Sequence, residues 1–433
     1  MIRSLLIRVG RWLQWAVLVG FAPAPLMSTT FASAPGEPAG STPSTRRMRS
    51  EHLSLVTDLP EDAEVDALPA LFDQAFSQWC VYFGIDSREH RDWRVQTWLM
   101  KSRDQFGTAA DLPAFASGYS RGSEIWLLEQ PSAYYRRHLL LHEGTHVFMD
   151  TLAGGKGPPW LAEGLAELLA THTLEHGRLT LNTFPRSRDA VPKWGRIEMI
   201  QTAYNDQRAM SLPQIFAYDA RASLENRSYA WCWAAVVFFD HQAKYQSRFR
   251  QLARHAGEVD FPQKFNDGFA GDWAAINNQW QLFIANLDYG YDFERNAVQF
   301  SQGKPLSAEG AKVEIAADRS WQSSGVRVEA GKKYRLRARG RYQVAHDPRP
   351  WWCEPDGVTI QYYRGHPLGV LLAGICDDDA VDGSVAGLLS PVVVGAAATI
   401  EAPRNGTLYF RINDSAGKLG DNSGTLSVEI NQQ

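Results

Sequence analysis

Apolar side chains recur at two different periods along the chain, and the change of period marks a change of architecture. Over 65–83 they fall at helical spacing (Leu68, Leu71, Phe72, Ala75, Phe76, Trp79) and stop at Gly84, which predicts a helix packed by one face. Ahead of it, His52-Leu-Ser-Leu-Val-Thr alternates as a strand does. The segments 93–100 and 123–128 also read as strands, with Gly118-Tyr-Ser-Arg-Gly122 as the turn before the second. A helix starting near Ser132 follows directly. Gly154-Gly-Lys-Gly-Pro-Pro159 cannot stay helical, so a second helix begins at Trp160. From 190 to 290 the helical period persists, most clearly over 228–245 and 273–287.

Beyond 300–306 that period disappears. Val326-Arg-Val, Lys333-Tyr-Arg-Leu-Arg-Ala-Arg, Val358-Thr-Ile-Gln-Tyr-Tyr, Gly369-Val-Leu-Leu, Ala398-Thr-Ile, Thr407-Leu-Tyr-Phe-Arg-Ile and Thr425-Leu-Ser-Val-Glu-Ile are short strands separated by Gly, Asp and Asn, at the spacing of an antiparallel sandwich. The pattern predicts an α+β chain with a helix-rich domain over 51–300, a linker over 301–309 and an all-β antiparallel sandwich over 310–433. No fixed-period repeat is visible in either half. A length of 433 residues exceeds the size at which one core usually keeps growing, in keeping with two domains.

The first 34 residues differ in kind. Arg3, Arg8 and Arg11 precede an apolar stretch from Trp12 to Met27, and Thr30-Phe-Ala32-Ser-Ala34 supplies the small residues of a cleavage site, so 1–34 reads as a secretory signal peptide. Pro23 and Pro25 interrupt the apolar run and argue against a stable membrane span after processing. No cysteine ends the segment, so a lipid anchor has no support. A lead-in rich in Pro, Gly, Ser and Thr follows over 35–50. The expected location is therefore secreted or periplasmic.

Composition narrows the partners. A net charge of -4, without basic blocks or a basic-aromatic stripe, argues against nucleic acid, and 44% hydrophobic residues describe a packed globular protein. The cysteines are too few for a disulfide scaffold. Links between Cys80 and Cys232 and between Cys353 and Cys376 are open readings, as are four buried thiols.

The chemistry sits in Leu139-Leu-Leu-His142-Glu143-Gly-Thr-His146, followed by Trp160-Leu-Ala-Glu163-Gly-Leu-Ala-Glu167. Two histidines four apart on a helix differ by about 40° in direction, so both imidazoles aim at one point. A catalytic zinc takes three protein ligands and leaves a position for water, which a neighbouring carboxylate deprotonates. Glu143 suits that base, and the second helix offers Glu163 as third ligand. A third histidine on the first segment is not available, because Met149 and Leu152 stand where its glycine and histidine would be. Glu167, one turn beyond Glu163, either orients a zinc-bound histidine or is solvated. His138 and His172 also lie at helical spacing nearby, and a lone helix histidine is more often core or surface than ligand.

These segments resemble the gluzincin metallopeptidases, most closely the peptidase MA-like group, whose second helix reads Trp-Leu-x-Glu-Gly-x-Ala-Glu; the likeness runs over about 51–287. It implies a thermolysin-like zincin core, His142, His146 and Glu163 as zinc ligands, and Glu143 as general base. It also implies an edge strand holding an extended peptide, at Gly118-Tyr-Ser-Arg-Gly-Ser-Glu-Ile-Trp126. Arg227-Ser-Tyr229-Ala-Trp231-Cys-Trp233 is similar to the downstream helix of the same family, so Tyr229 is a candidate oxyanion donor, or else a core tyrosine.

Leu408-Tyr-Phe-Arg-Ile-Asn413-Asp414-Ser-Ala-Gly-Lys418-Leu-Gly-Asp421-Asn422-Ser-Gly resembles the PA-IL-like calcium-dependent galactose-binding lectins. The resemblance covers about 310–430 and implies Ca2+ held by Asp414, Asp421 and Asn422 side chains and the Lys418 carbonyl, with a further backbone oxygen near Val344. Asp421 replaces an amide, and the sugar-contacting loop is not recognisable in Pro350-Trp-Trp-Cys-Glu-Pro-Asp-Gly357. A purely structural use of the same residues in tight turns stays open. Two functions follow: an exported Zn2+ peptidase acting on a peptide or protein, with an accessory glycan-binding domain, or a non-catalytic carbohydrate- or surface-binding protein with an inactive zincin fold.

Overall fold

The computed structural model describes residues 45–106, 112, 117–219, 225–346, 349–378 and 385–433; the expected signal peptide and positions 35–44 lie outside them. No helix among the described residues is long and apolar enough to cross a membrane. The first elements are β1 (Arg46–Arg49), β2 (Leu53–Thr57), α1 (Ala63–Asp66), α2 (Leu68–Phe83), β3 (Val95–Met100), β4 (Gly118–Arg121) and β5 (Glu124–Leu128). Their sheet runs β1-β2-β3-β5-β4. The three inner strands are parallel, and β1 and β4 close the two edges antiparallel. β2 and β5 are mostly buried, as inner strands covered on both faces should be. Two expectations change here. The first described strand, β1, lies upstream of 51, and 118–121 forms an edge strand, where the resemblance puts one, and not the turn its composition suggests.

α3 (Ala133–Thr151) starts where Ser132 Oγ accepts the Tyr135 amide at 3.3 Å. α4 (Pro159–Ala170) begins at a proline pair whose missing N–H groups fall where a helix has no use for them. Next come β6 (His172–Glu175), β7 (Arg178–Leu181), α5 (Arg196–Asn205), α6 (Leu212–Phe216), α7 (Asn226–His241), α8 (Ala243–Ala253), α9 (Phe261–Gly268) and α10 (Trp273–Asn286). α4 crosses α7 at Gly164. A Cβ there would stand 2.6 Å from the Cys232 carbonyl oxygen, so only glycine lets the two helices meet this closely.

The remainder is β-rich: β8 (Lys304–Pro305), β9 (Ala311–Ala316), β10 (Gln322–Val328), β11 (Lys333–Arg339), β12 (Tyr342–Ala345), β13 (Trp351–Cys353), β14 (Val358–Tyr363), β15 (His366–Leu368), β16 (Leu371–Cys376), α11 (Ala386–Leu389), β17 (Val392–Val393), β18 (Ala397–Glu401), β19 (Gly406–Ile412) and β20 (Thr425–Gln432). Two sheets, β17-β16-β19-β10-β8 and β18-β11-β20-β9, bury their alternating apolar positions in one shared cluster. The pairing is antiparallel except that β8 joins β10 in parallel. Neither sheet closes into a barrel. A further cluster, with Leu282 of α10 beside Trp321, Leu372 and Tyr409, packs the helical part against this β part. The chain is thus a mixed helix-and-sheet protein, and its four cysteines are buried and form no disulfide, so neither expected link is present.

Asp240, at the C-terminal end of α7, is fully buried and ties three elements together. It accepts Tyr82 Oη at 3.0 Å, Arg250 Nε and Nη2 at 2.7 and 2.8 Å, and Asn182 Nδ2 at 2.7 Å. Burial pushes its pKa up, but the Arg250 and Asn182 hydrogen bonds outweigh burial and hold it below the usual value. Its stabilisation is therefore complete above about pH 4 and is lost as pH falls through the depressed folded value. Asp240→Asn should cost about 2–3 kcal/mol at neutral pH, below the range for a fully enclosed pair because Arg250 reaches water. It should also flatten the acid limb of a urea-unfolding series. Parallel pH curves for the two proteins would remove this role.

Candidate metal centre

α3 carries His138, His142, Glu143 and His146; α4 faces it with Glu163 and Glu167. His142 Nε2 and His146 Nε2 lie 3.3 and 3.2 Å from the same oxygen, Glu163 Oε2. Tetrahedral zinc with ligands at about 2.0–2.1 Å sets them about 3.3 Å apart, so the spacing fits the ion. Two neutral imidazole nitrogens and one carboxylate oxygen are also its ordinary donor set. The three side chains are largely buried. In the metal-free chain, burial lowers the His142 pKa, but hydrogen bonds to Glu163 and Glu167 outweigh it and raise the value to about 10. Glu163 is pushed up by burial and held down by His146 and His142, with the low value prevailing.

Glu167 is not solvated, which removes one of its two readings. It is 1% exposed and receives Arg196 Nε at 3.0 Å, Arg196 Nη2 at 2.9 Å and Trp194 Nε1 at 3.3 Å. His142 Nδ1 stands 3.4 Å from its Oε1, and His138 Nε2 stands 3.4 Å from its Oε2. Burial would raise its pKa; Arg196 first, then His138, holds it far below the normal range. Glu167 thus stands behind the Nδ1 side of His142, the ring nitrogen turned away from Glu163.

His138, His142 and Glu167 form a second group with ligand atoms near enough to share an ion. That group is the poorer cation site, because the Arg196 guanidinium already occupies both Glu167 oxygens. His138 thus belongs to the site as a neighbour of Glu167, a part the sequence reading did not assign it. Burial lowers its pKa, with Glu167 only partly opposing, so its ring stays neutral. His172 stacks on Tyr134 at 4.5 Å, outside both metal-capable groups.

Glu143 lies beside β4. A Cβ at Gly118 would sit 2.9 Å from Glu143 Oε1 and 3.2 Å from its Cγ, so the missing side chain makes the room the carboxylate uses. Tyr229 of α7 is half-buried, its ring 5.7 Å from the His142 ring and 5.6 Å from the Arg196 guanidinium carbon. Burial, then the Glu163 and Glu143 charges, raises its pKa, so the phenol keeps its proton at neutral pH. Arg196 and Trp194 carry no local motif; both hydrogen-bond Glu167, and Arg196 also lies over the Tyr229 ring.

In the β part, Asp414 is buried, its Oδ1 accepting the Ser415 amide at 2.6 Å and its Oδ2 accepting Asn422 Nδ2 at 3.0 Å. Burial first, then the Asp421 charge, raises its pKa. Asp421 Oδ1 and Asn422 Oδ1 are buried acceptors without a hydrogen-bond donor. The Lys418 carbonyl accepts the Asp421 amide at 3.3 Å, and Val344 is buried in β12. Two orphaned hard oxygens beside a buried carboxylate fit calcium.

No family model matches the chain, and no curated protein matches it. Similar solved structures include the EclA N-terminal domain, a PllA-like lectin, at 19% identity over 28% of this chain and 96% of that one, TM-score 0.22. Another is IMPa from Pseudomonas aeruginosa in complex with an O-glycopeptide, at 15% identity over 66% of this chain, TM-score 0.17. This chain spans 28% of IMPa's length.

Loss of a hydrogen-bond partner behind a metal ligand lowers metal affinity about 10- to 100-fold. Glu167→Gln should do so in a chelator-competition titration with zinc, while Glu163→Gln should weaken binding further. The reverse order would move the ion to the group containing His138.

Proposed function

We propose that this chain is an exported zinc-dependent peptide hydrolase of gluzincin type, with its chemistry in a zincin domain over 51–300 and an accessory sandwich over 310–433. The observation that carries the reading is that His142, His146 and Glu163 converge on one point while Glu143, next to His142 on the same helix, extends beside Gly118 on an edge strand. When bound, zinc supplies Lewis acidity, making water acidic enough to give up a proton and polarising a carbonyl.

The chain's own groups do the rest. The outer edge of β4, the last strand of its sheet among the described residues, would offer backbone donors and acceptors to an extended peptide lying as one more strand beside Glu143. Glu143 takes the proton from the attacking water and returns it to the leaving amine, so it ends the cycle ionised. Tyr229, held neutral, donates to the oxygen on which negative charge develops. Glu167, clamped by Arg196, keeps His142 from turning.

Glu143→Ala should retain zinc and lose about 10²- to 10⁴-fold in kcat on a quenched peptide library. Tyr229→Phe should lose about 10²-fold in kcat with little change in KM. Cleavage that survives Glu143→Ala would sink the peptidase reading and leave the binding-protein alternative, in which the zincin fold is inactive.

The unpaired Asp421 and Asn422 oxygens support a second, separate reading, that the β part holds calcium and through it contacts a glycan. Titration calorimetry should find one calcium per chain in the wild type and none after Asp421→Ala and Asn422→Ala together. Equal heats in the two proteins would leave these residues as turn formers.

A further inference from the structure

The solvent face of β11 carries Lys333, Arg335, Arg337 and Arg339 at alternate positions, all exposed, while Tyr334, Leu336 and Ala338 between them are buried. Arg341 follows, also exposed, its guanidinium carbon 5.7 Å from the centre of the Trp352 ring. β11 is an inner strand between β18 and β20, so its backbone is satisfied and these side chains are free for other work. Lys333 pairs loosely with Glu401 at 3.9 Å. Among the described residues, Arg335, Arg337 and Arg339 make no ion pair. Glu429 stands opposite Arg337, Ser427 opposite Arg339 and Asn431 opposite Arg335, so the cations outnumber the carboxylates along the strand. Arg337, Arg339 and Arg341 line one open cavity of about 480 Å³ with Glu354, Ala396 and Ala397. The alanines on that side leave the guanidiniums uncovered.

A row of like charges on neighbouring positions is unfavourable unless an anion answers it. The chain as a whole carries a net charge of -4, so the row is a local arrangement and not a reflection of overall basicity. We infer that this face of the β11 sheet binds an acidic polysaccharide, a chain of sulfated or carboxylated sugars, with Arg335, Arg337, Arg339 and Arg341 meeting successive anions and Trp352 offering an apolar ring at the end of the row. Trp352 is 48% exposed, which leaves its face open to a sugar. Same-face residues on a strand repeat every 6.6–6.8 Å or so, which lets each guanidinium meet a separate anion of an extended polyanion. Single-stranded nucleic acid needs several stacking rings along its track, and here one is present. A concave site suits a chain lying in it better than a flat bilayer. The inference stands apart from the metal centre and from the calcium reading, since it uses residues of neither.

The test is fluorescence anisotropy on the full chain with labelled heparin and oligogalacturonate fragments, at low and moderate salt. At least one should bind, more weakly as salt rises. Arg337→Ala with Arg339→Ala should weaken it about tenfold and lower the salt slope by roughly one per cation removed. Arg337→Lys with Arg339→Lys should keep most of the affinity, and Arg208→Ala, an exposed cation elsewhere, should change nothing. Circular dichroism confirms that the exposed substitutions leave the fold intact. No binding of either fragment, binding unchanged in the double alanine variant, or equal binding of labelled oligothymidylate or phosphatidylserine vesicles would each overturn the assignment.

Discussion

Glu167 is held by two nitrogens of the Arg196 fork and stands against His138 and His142, and the arrangement of the candidate metal group is built around this one buried carboxylate. Taking two charges out of water costs several kcal/mol per ion, and an apolar pair of similar volume would stabilise the helices as well or better. What the ion pair contributes is orientation. Trp194 and Arg196 hold Glu167 in place, Glu167 stands 3.4 Å from the Nδ1 side of His142, and the Nε2 side faces Glu163. Removing one partner leaves the other as an uncompensated buried charge, so the arrangement tolerates little partial loss.

Distance is set by absent side chains as much as by present ones. Gly164 sits between the two acids of α4 and lets that helix press on α7, which carries Tyr229. Gly118 leaves the space beside the edge strand into which Glu143 extends. A methyl group at either position would have to displace backbone or the carboxylate itself. The charged groups form the cluster, and the two glycines set how near the tyrosine helix and the edge strand come to it.

The histidine pair was legible because helical periodicity alone brings positions four apart to one face, and Glu163 was legible because a loop of glycine and proline forces a turn back. Glu167 was half legible; burial decided between its readings, and burial depends on Arg196, which lies 29 residues further on with no local signature. His138 was visible at the right spacing, but a helical histidine carries no information until its neighbours are known. Gly118–Arg121 reads as a turn by composition because glycine and serine dominate it, whereas pairing with β5 makes it a strand. β1, four residues with three arginines, lacks the apolar alternation of a buried strand because it is an edge. The cysteine question was open in sequence, since pairing depends on distances that sequence does not contain.

The arginine row of β11 was hidden for a related reason. Alternation spreads its charges among core residues, so no basic block appears in the chain, and only the pleat gathers them on one face. Burial and exposure then divide the molecule's electrostatics into two regimes. Around Glu167 the charges are enclosed, so salt screens them weakly and their effect is on geometry. Along β11 they are in water, where screening acts over about 10 Å at 0.1 M salt, so their effect is on encounter and affinity. Ionic strength therefore acts strongly on the arginine row and weakly on the enclosed charges around Glu167, so salt is the variable that tells the two regions apart.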